Sequence, residues 1–175
     1  MIHTARAETT VPSTMTFMEA RIAYEPIVFA YVSRRIRPRE EAEDIAAQVF
    51  VDAYVQWRRL RGAPKYWLLG IARRKVCDAL RKQRRLWSLQ EGDAQACALG
   101  GYMAAAEVRQ AVAIVMQLPD DQRDAFLLQV LEDMPIDEIA QVMARTHASV
   151  NSLLQRARTR IQRTLDVQNR EGLSS

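Results

Sequence analysis

MPIDEIAQVMARTHASVNSLLQRAR, residues 134–158, is the stretch that decides the fold. A short helical pattern from Pro135 or Ile136 to Met143 meets the turn MART, and a longer pattern follows from His147 to about Leu165. A short helix, a turn of about four residues and a longer basic helix make the helix-turn-helix arrangement, whose second helix enters a major groove. Val150, Leu154, Ala157, Ile161 and Leu165 recur at helical spacing and supply its buried stripe. Ser149, Asn151, Ser152, Gln155, Arg156, Thr159, Arg160 and Arg163 are left facing outward, as candidates for phosphate and base-edge contacts. Residues 145–163 hold Arg145, Arg156, Arg158, Arg160 and Arg163 and no acid, whereas residues 120–138 hold seven acids against Arg123 alone. The asymmetry favours DNA at the last helix. An ordinary helical hairpin with a solvated arginine face has the same spacing, and spacing does not decide between them.

Working outward, two more helical patterns precede this pair, Val108 to Leu118 and Asp120 to about Leu131. Upstream, from Ser88 to about Gly101, periodicity disappears and Gly, Gln and Asp collect, as in a linker. Between Trp57 and Leu86 the cations Arg58, Arg59, Arg61, Lys65, Arg73, Arg74, Lys75, Arg81, Lys82, Arg84 and Arg85 face only Asp78, a net charge of +10. Gly62, Ala63 and Pro64 mark a loop. The helix after it pairs an apolar row, Leu68, Ala72, Val76 and Leu80, with a basic face. Trp57, Tyr66 and Trp67 lie among these cations, a mixture suited to unstacked bases and a phosphate backbone; taken singly, each aromatic also reads as a core residue. Glu40, Glu41, Glu43, Asp44 and Asp52 fall between residues 40 and 52 without Lys or Arg. They lie on a helix whose apolar stripe is Ile45, Val49, Ala53 and Trp57, flanked by Ala42, Ala46, Phe50 and Tyr54. This acidic side reads either as a protein-docking face or as a solvated face matched to the helix dipole. From Phe17 to Ile36 the pattern is one helix, broken or kinked at Pro26.

The expected organisation is therefore all-α. A disordered tail spans 1–15, a first helical domain 16–87, a flexible linker 88–104, a helix-turn-helix domain 105–167 and a second tail 168–175. With 175 residues, 49% hydrophobic, the chain can bury a core, and its six Gly and six Pro leave little material for hairpins. No apolar run approaches the ~18 residues that cross a bilayer. MIHTARAETTVPST shows no secretory signal, so a cytoplasmic location is expected. Two cysteines, Cys77 and Cys97, and two histidines in no ligand spacing support neither a metal site nor a disulfide. GxxxxGK, GxSxG and HExxH are absent. Neither catalysis nor a cofactor is expected.

Read together, EEAEDIAAQVF from Glu40, YWLLGIARRKVCDALRKQRR from Tyr66, LPDDQRDAFLL from Leu118 and the opening motif resemble an extracytoplasmic-function RNA polymerase sigma factor, over roughly Phe17 to Leu165. That resemblance implies two helical domains, sigma regions 2 and 4. It implies that Glu41, Glu43, Asp44, Val49 and Phe50 belong to the helix that docks on the polymerase clamp. Arg61, Lys65, Tyr66, Trp67, Arg73, Arg74 and Arg81 would recognise and help open the upstream edge of the melted −10 element. Ser149, Asn151, Ser152, Gln155, Arg156 and Arg160 would read the −35 duplex. Core polymerase (clamp and flap), promoter DNA and an anti-sigma factor are the implied partners. The chain departs from the family pattern at Ala47 and Gln48, where Gln and Glu are usual, and at Arg73 and Arg74, where Arg and Asn are usual. Asn151, Ser152 and Leu153 replace Lys-Ser-Arg, which removes two cations from the expected duplex face. Two rivals share parts of this pattern: a stand-alone helix-turn-helix regulator, and a protein-binding adaptor derived from a sigma factor.

Overall fold

The computed structural model describes residues 15–60, 62–87 and 106–172. The expected linker 88–104, almost all of the amino-terminal tail, and Arg61 lie outside the described residues. Seven α-helices are present among them: α1 (Phe17–Ser33), α2 (Arg39–Gln56), α3 (Pro64–Trp87), α4 (Ala106–Met116), α5 (Asp120–Leu131), α6 (Ile136–Met143) and α7 (His147–Gly172).

Thr16 starts α1 with a capping box: its hydroxyl accepts from the Glu19 N–H at 3.3 Å, and the Glu19 carboxylate accepts from the Thr16 N–H at 2.8 Å. The helix continues through Pro26, against the expected break. Pro26 sits on the exposed side, while Ala20, Val28, Tyr31 and Val32 bury the opposite one, so packing outweighs one missing hydrogen bond. α2 carries Glu40 and Glu41 in its first turn, where the dipole favours acid. A single 3-10 turn, Trp57–Arg59, leads to Gly62, whose φ of +77° lies where glycine bears no Cβ penalty.

α1, α2 and α3 pack pairwise into one unit, and α5, α6 and α7 into another, with α4 against α7. α6 also packs on α3, so a single buried cluster runs from Val28 and Val32 through Leu68 and Ala72 to Leu128, Ile139, Val150 and Leu154. The interface is close: a Cβ built on Gly70 of α3 would stand 2.9 Å from the Val142 carbonyl oxygen of α6, and the nearest atoms it meets belong to Val142 alone.

The MART turn closes as a Schellman cap. The Ala144 N–H donates to the Gln141 carbonyl at 3.2 Å and the Arg145 N–H to the Ala140 carbonyl at 2.9 Å. Thr146 then opens α7, its hydroxyl accepting from the Ser149 N–H. α7 runs on to Gly172, seven residues beyond the Leu165 expected from its apolar period and into the stretch read as a tail. Ala144 holds φ +51°, a left-handed position that strains a residue bearing a Cβ. Ala144→Gly should therefore raise the free energy of urea unfolding by ~0.5–1 kcal/mol; a lower midpoint would show that the turn is not strained.

Candidate polymerase and nucleic-acid interfaces

On α2, Glu40, Glu43 and Asp44 are exposed and Glu41 is half-buried. Glu43 accepts from Arg39 at 2.7 Å on the surface, and Glu41 accepts from the Gln83 side chain of α3. Val49 and Phe50, expected among the polymerase contacts, lie in the core between the helices. Val49 holds α2 in place from within, and Phe50, although only 5% exposed, also lines the groove between α1 and α2. Tyr54, expected on the flank of the buried stripe, is 68% exposed instead, and Val55 is 77% exposed. With Phe17, Ile22, Pro26 and Phe29 they line an open groove of about 860 Å³ between α1 and α2. Exposed apolar surface of this kind marks docking sites. Its sequence signal was apolar residues on α2 that fall off the i, i+4 stripe.

The α3 cations are not equally available. Arg74 is exposed, and Lys75 reaches back to Asp52 of α2 at 2.7 Å. That contact, with a hydrogen bond from Gln48, holds the Asp52 carboxyl below its ordinary range. Arg73 is 15% exposed; its Nη2 lies 2.7 Å from Asp121 and its Nε 2.9 Å from Asp124, both on α5. The second is a charge contact without hydrogen-bond alignment. Arg81 bridges Asp78 and Asp120, and Lys65 lies 3.9 Å from Glu138 of α6. Tyr66 and Trp67 are half-buried against the core, and Trp67 meets Trp57 edge-on at 6.0 Å, with Phe17 beyond it at 5.5 Å. Those rings brace the loop before α3.

α7 sorts as its periodicity requires. Val150, Leu154 and Ala157 are fully buried, and Ile161 is half-buried on the same side. Ser152, Gln155, Arg156, Thr159, Arg160 and Arg163 are exposed along the opposite side, with Ser149 and Asn151 half-buried at its start. Leu153 packs towards the core, so its place in the departed Lys-Ser-Arg pattern is structural. A second apolar recess, about 510 Å³, opens between α4, α5 and α7, lined by Val112, Val115, Phe126, Val130, Ile161 and Leu165. No helix among the described residues is long and apolar enough to cross a membrane.

Residues 22–86 match Sigma-70 region 2, and residues 109–161 match Sigma-70, region 4. The ECF RNA polymerase sigma factor SigM of Bacillus subtilis is 26% identical over 152 residues, covering 84% of this chain and 93% of its own. The chain belongs to the extracytoplasmic-function group of the sigma-70 family. At the level of fold, it resembles sigma factor RpoE of Bartonella quintana, solved with the anti-sigma factor NepR, at TM-score 0.58 and 20% identity, over 86% of this chain and 97% of that one. It likewise resembles CnrH, solved with the cytosolic domain of CnrY, at TM-score 0.58 and 18% identity, over 86% and 88%. The all-α reading and the family resemblance of the sequence are thereby confirmed. As a sigma factor the chain binds core RNA polymerase and directs transcription initiation at promoters.

Between the two sigma regions, the Cys77 thiol of α3 donates to Asp124 at 2.9 Å. Burial, with the Asp124 charge behind it, pushes this thiol up from 9.0 to about 12. A folded value raised above the unfolded one contributes stability that is complete below pH 9.0 and is lost as pH rises towards about 12. With Cys97→Ser making Cys77 the only thiol, the unfolding free energy should fall more steeply above pH 9.0 than in the Cys77→Ala, Cys97→Ser double variant. Equal slopes would show that the thiol is not desolvated.

Proposed function

We propose a division of labour among these surfaces. Residues 16–87 form region 2, 105–167 form region 4, and 88–104 join them. The polymerase clamp docks on the acidic side of α2, through Glu41, Glu43 and Asp44, and on the adjoining groove through Ile22, Val51, Tyr54 and Val55. The flap element occupies the apolar recess between α4, α5 and α7. Arg61, Lys65, Arg73, Arg74 and Arg81 hold the backbone of the melted −10 element, with Tyr66 and Trp67 positioning the loop that captures an extruded base. Such capture offsets roughly a few kcal/mol of unstacking. Ser149, Asn151, Ser152, Gln155, Arg156 and Arg160 read the −35 duplex in the major groove.

The observation that carries this reading is the outer side of α7. Polar and cationic side chains occupy one continuous face directly opposite a buried apolar stripe, and no acid interrupts them before Asp166. With Asn151 in place of a cation, and Leu153 turned towards the core, duplex binding should have a log-log salt slope about one unit shallower than a chain with lysine at 151. The protein acts without catalysing a reaction of its own, in the cytoplasm. An anti-sigma factor controls it by covering the same docking surfaces, as a reading supported by the complexes in which RpoE and CnrH were solved.

Run-off transcription with purified core polymerase tests the whole assignment. Arg74→Glu should abolish open-complex formation while leaving polymerase binding intact, because Arg74 is an exposed cation of α3 that takes no part in lining the groove between α1 and α2. Asp44→Arg should weaken polymerase binding itself, by tenfold or more, about 1.4 kcal/mol. Exchanged effects would reverse the assignment of faces. DNA binding by the chain alone at a palindrome would identify a stand-alone regulator, and no DNA binding with or without polymerase would identify an adaptor.

A further inference from the structure

Among the described residues, the ion pairs that join the two sigma regions run in one direction, from cations of the first to acids of the second. Arg34 and Arg35 at the end of α1 both engage Glu132, whose side chain is nearly buried. Lys65 faces Glu138, Arg73 faces Asp121 and Asp124, and Arg81 faces Asp120. Arg145 and Arg123 of the second region neutralise part of this acidic row from behind, through Asp121 and Asp120. Asp124 is left with Arg73 as its salt-bridge partner across the interface. The surface beneath is shaped for this contact, since Gly70 admits the Val142 backbone where any side chain would collide. Carboxylates spaced along α5 and α6 thus sit against the same α3 cations that a nucleic-acid backbone would need.

We infer that Asp120, Asp121, Asp124 and Glu138 act as an internal phosphate mimic, holding Lys65, Arg73 and Arg81 so that the free chain covers its own −10 face. The contact is an intramolecular brake, independent of any anti-sigma partner. The nucleic-acid half of this inference rests on the proposed role of α3; the closed interface itself does not. Screening fits the brake to a switch: Lys65, Arg81 and their partners are partly solvated, so salt and competing phosphates weaken them, while the Arg73 contacts give way only when the regions part.

Two variants of the full chain, each in a Cys97→Ser background, separate the possibilities. Gly70→Leu wedges α3 from α6 without touching a charge, and a Cβ at 70 meets nothing else nearby. Glu132→Arg replaces attraction to Arg34 and Arg35 by repulsion, and a normal helical circular dichroism spectrum verifies that each variant folds. Alkylation of Cys77 by iodoacetamide reports opening, and fluorescence anisotropy of a labelled oligothymidylate without polymerase reports access to the α3 face. The expected result is alkylation at least tenfold faster in both variants and oligonucleotide binding at least tenfold tighter. Raising salt from about 0.05 to about 0.5 M should speed alkylation of the unmodified interface in the same direction. Unchanged alkylation in both folded variants would overturn the closed interface. Faster alkylation with unchanged oligonucleotide binding would overturn the phosphate mimicry, whereas the assignment of α3 to DNA falls only if Arg74→Glu still forms open complexes with polymerase.

Discussion

The contact of Arg73 with Asp121 and Asp124 is the constraint around which the two halves of the molecule are arranged. A guanidinium 15% exposed has lost most of its hydration, and it recovers that loss only from two carboxylates held at fixed distances. Removal of either side would leave a charge stranded at the interface, which typically costs ~3–5 kcal/mol while the surfaces remain together. An apolar contact of the same shape would hold as well or better. What the charged contact provides is reversibility: once the regions separate, all three groups return to water.

The neighbourhood of this contact is already rich in unspent polarity. Arg123 is 1% exposed and gives one nitrogen to Asp120, while its Nε and Nη1 have no partner. Arg35 is stacked on the Tyr31 ring at 3.8 Å and leaves Nη2 unpartnered. Unsatisfied buried donors weaken a closed state relative to a fully paired one. The interface therefore combines tight apolar packing, Gly70 against Val142, with an incompletely satisfied ionic layer. Such a surface closes specifically without being locked.

Periodicity made much of this architecture readable in the chain itself. The buried stripe of α7, the MART turn and the four-residue row on α2 all follow from 3.6-residue geometry, which is local. The continuity of α1 through Pro26 was not local: it depends on Val28 and Val32 meeting α2 and α3. The same limit explains the docking surface. Val49 and Phe50 and their neighbours Val51, Tyr54 and Val55 are chemically alike, and only the packing of α1 and α3 decides which of them is buried. The acids from Asp120 to Glu138 were visible as a cluster, but their partners lie about 40 to 100 positions away in the chain. No spacing rule connects residues that distant; the charge asymmetry recorded the pairing without identifying it.

The placement of the open recesses relative to the closed interface has a mechanical consequence. The groove between α1 and α2 has no lining from α3 or α6, and the recess between α4, α5 and α7 has none either. A large partner can therefore take hold of each sigma region while the two remain in contact. At Lys65, Arg73 and Arg81 nucleic acid has no such foothold, because its phosphates compete there with carboxylates tethered in the same chain, at an effective concentration that free DNA does not reach. The apparent affinity for DNA then falls by the fraction of molecules that are open. If polymerase grips these two recesses as proposed, and its two sites lie farther apart than the closed regions allow, it contributes binding energy to the open state alone. On the proposed assignment, polymerase engages before the paired α3 cations are available to a melted strand, while the exposed outer side of α7 stays accessible throughout.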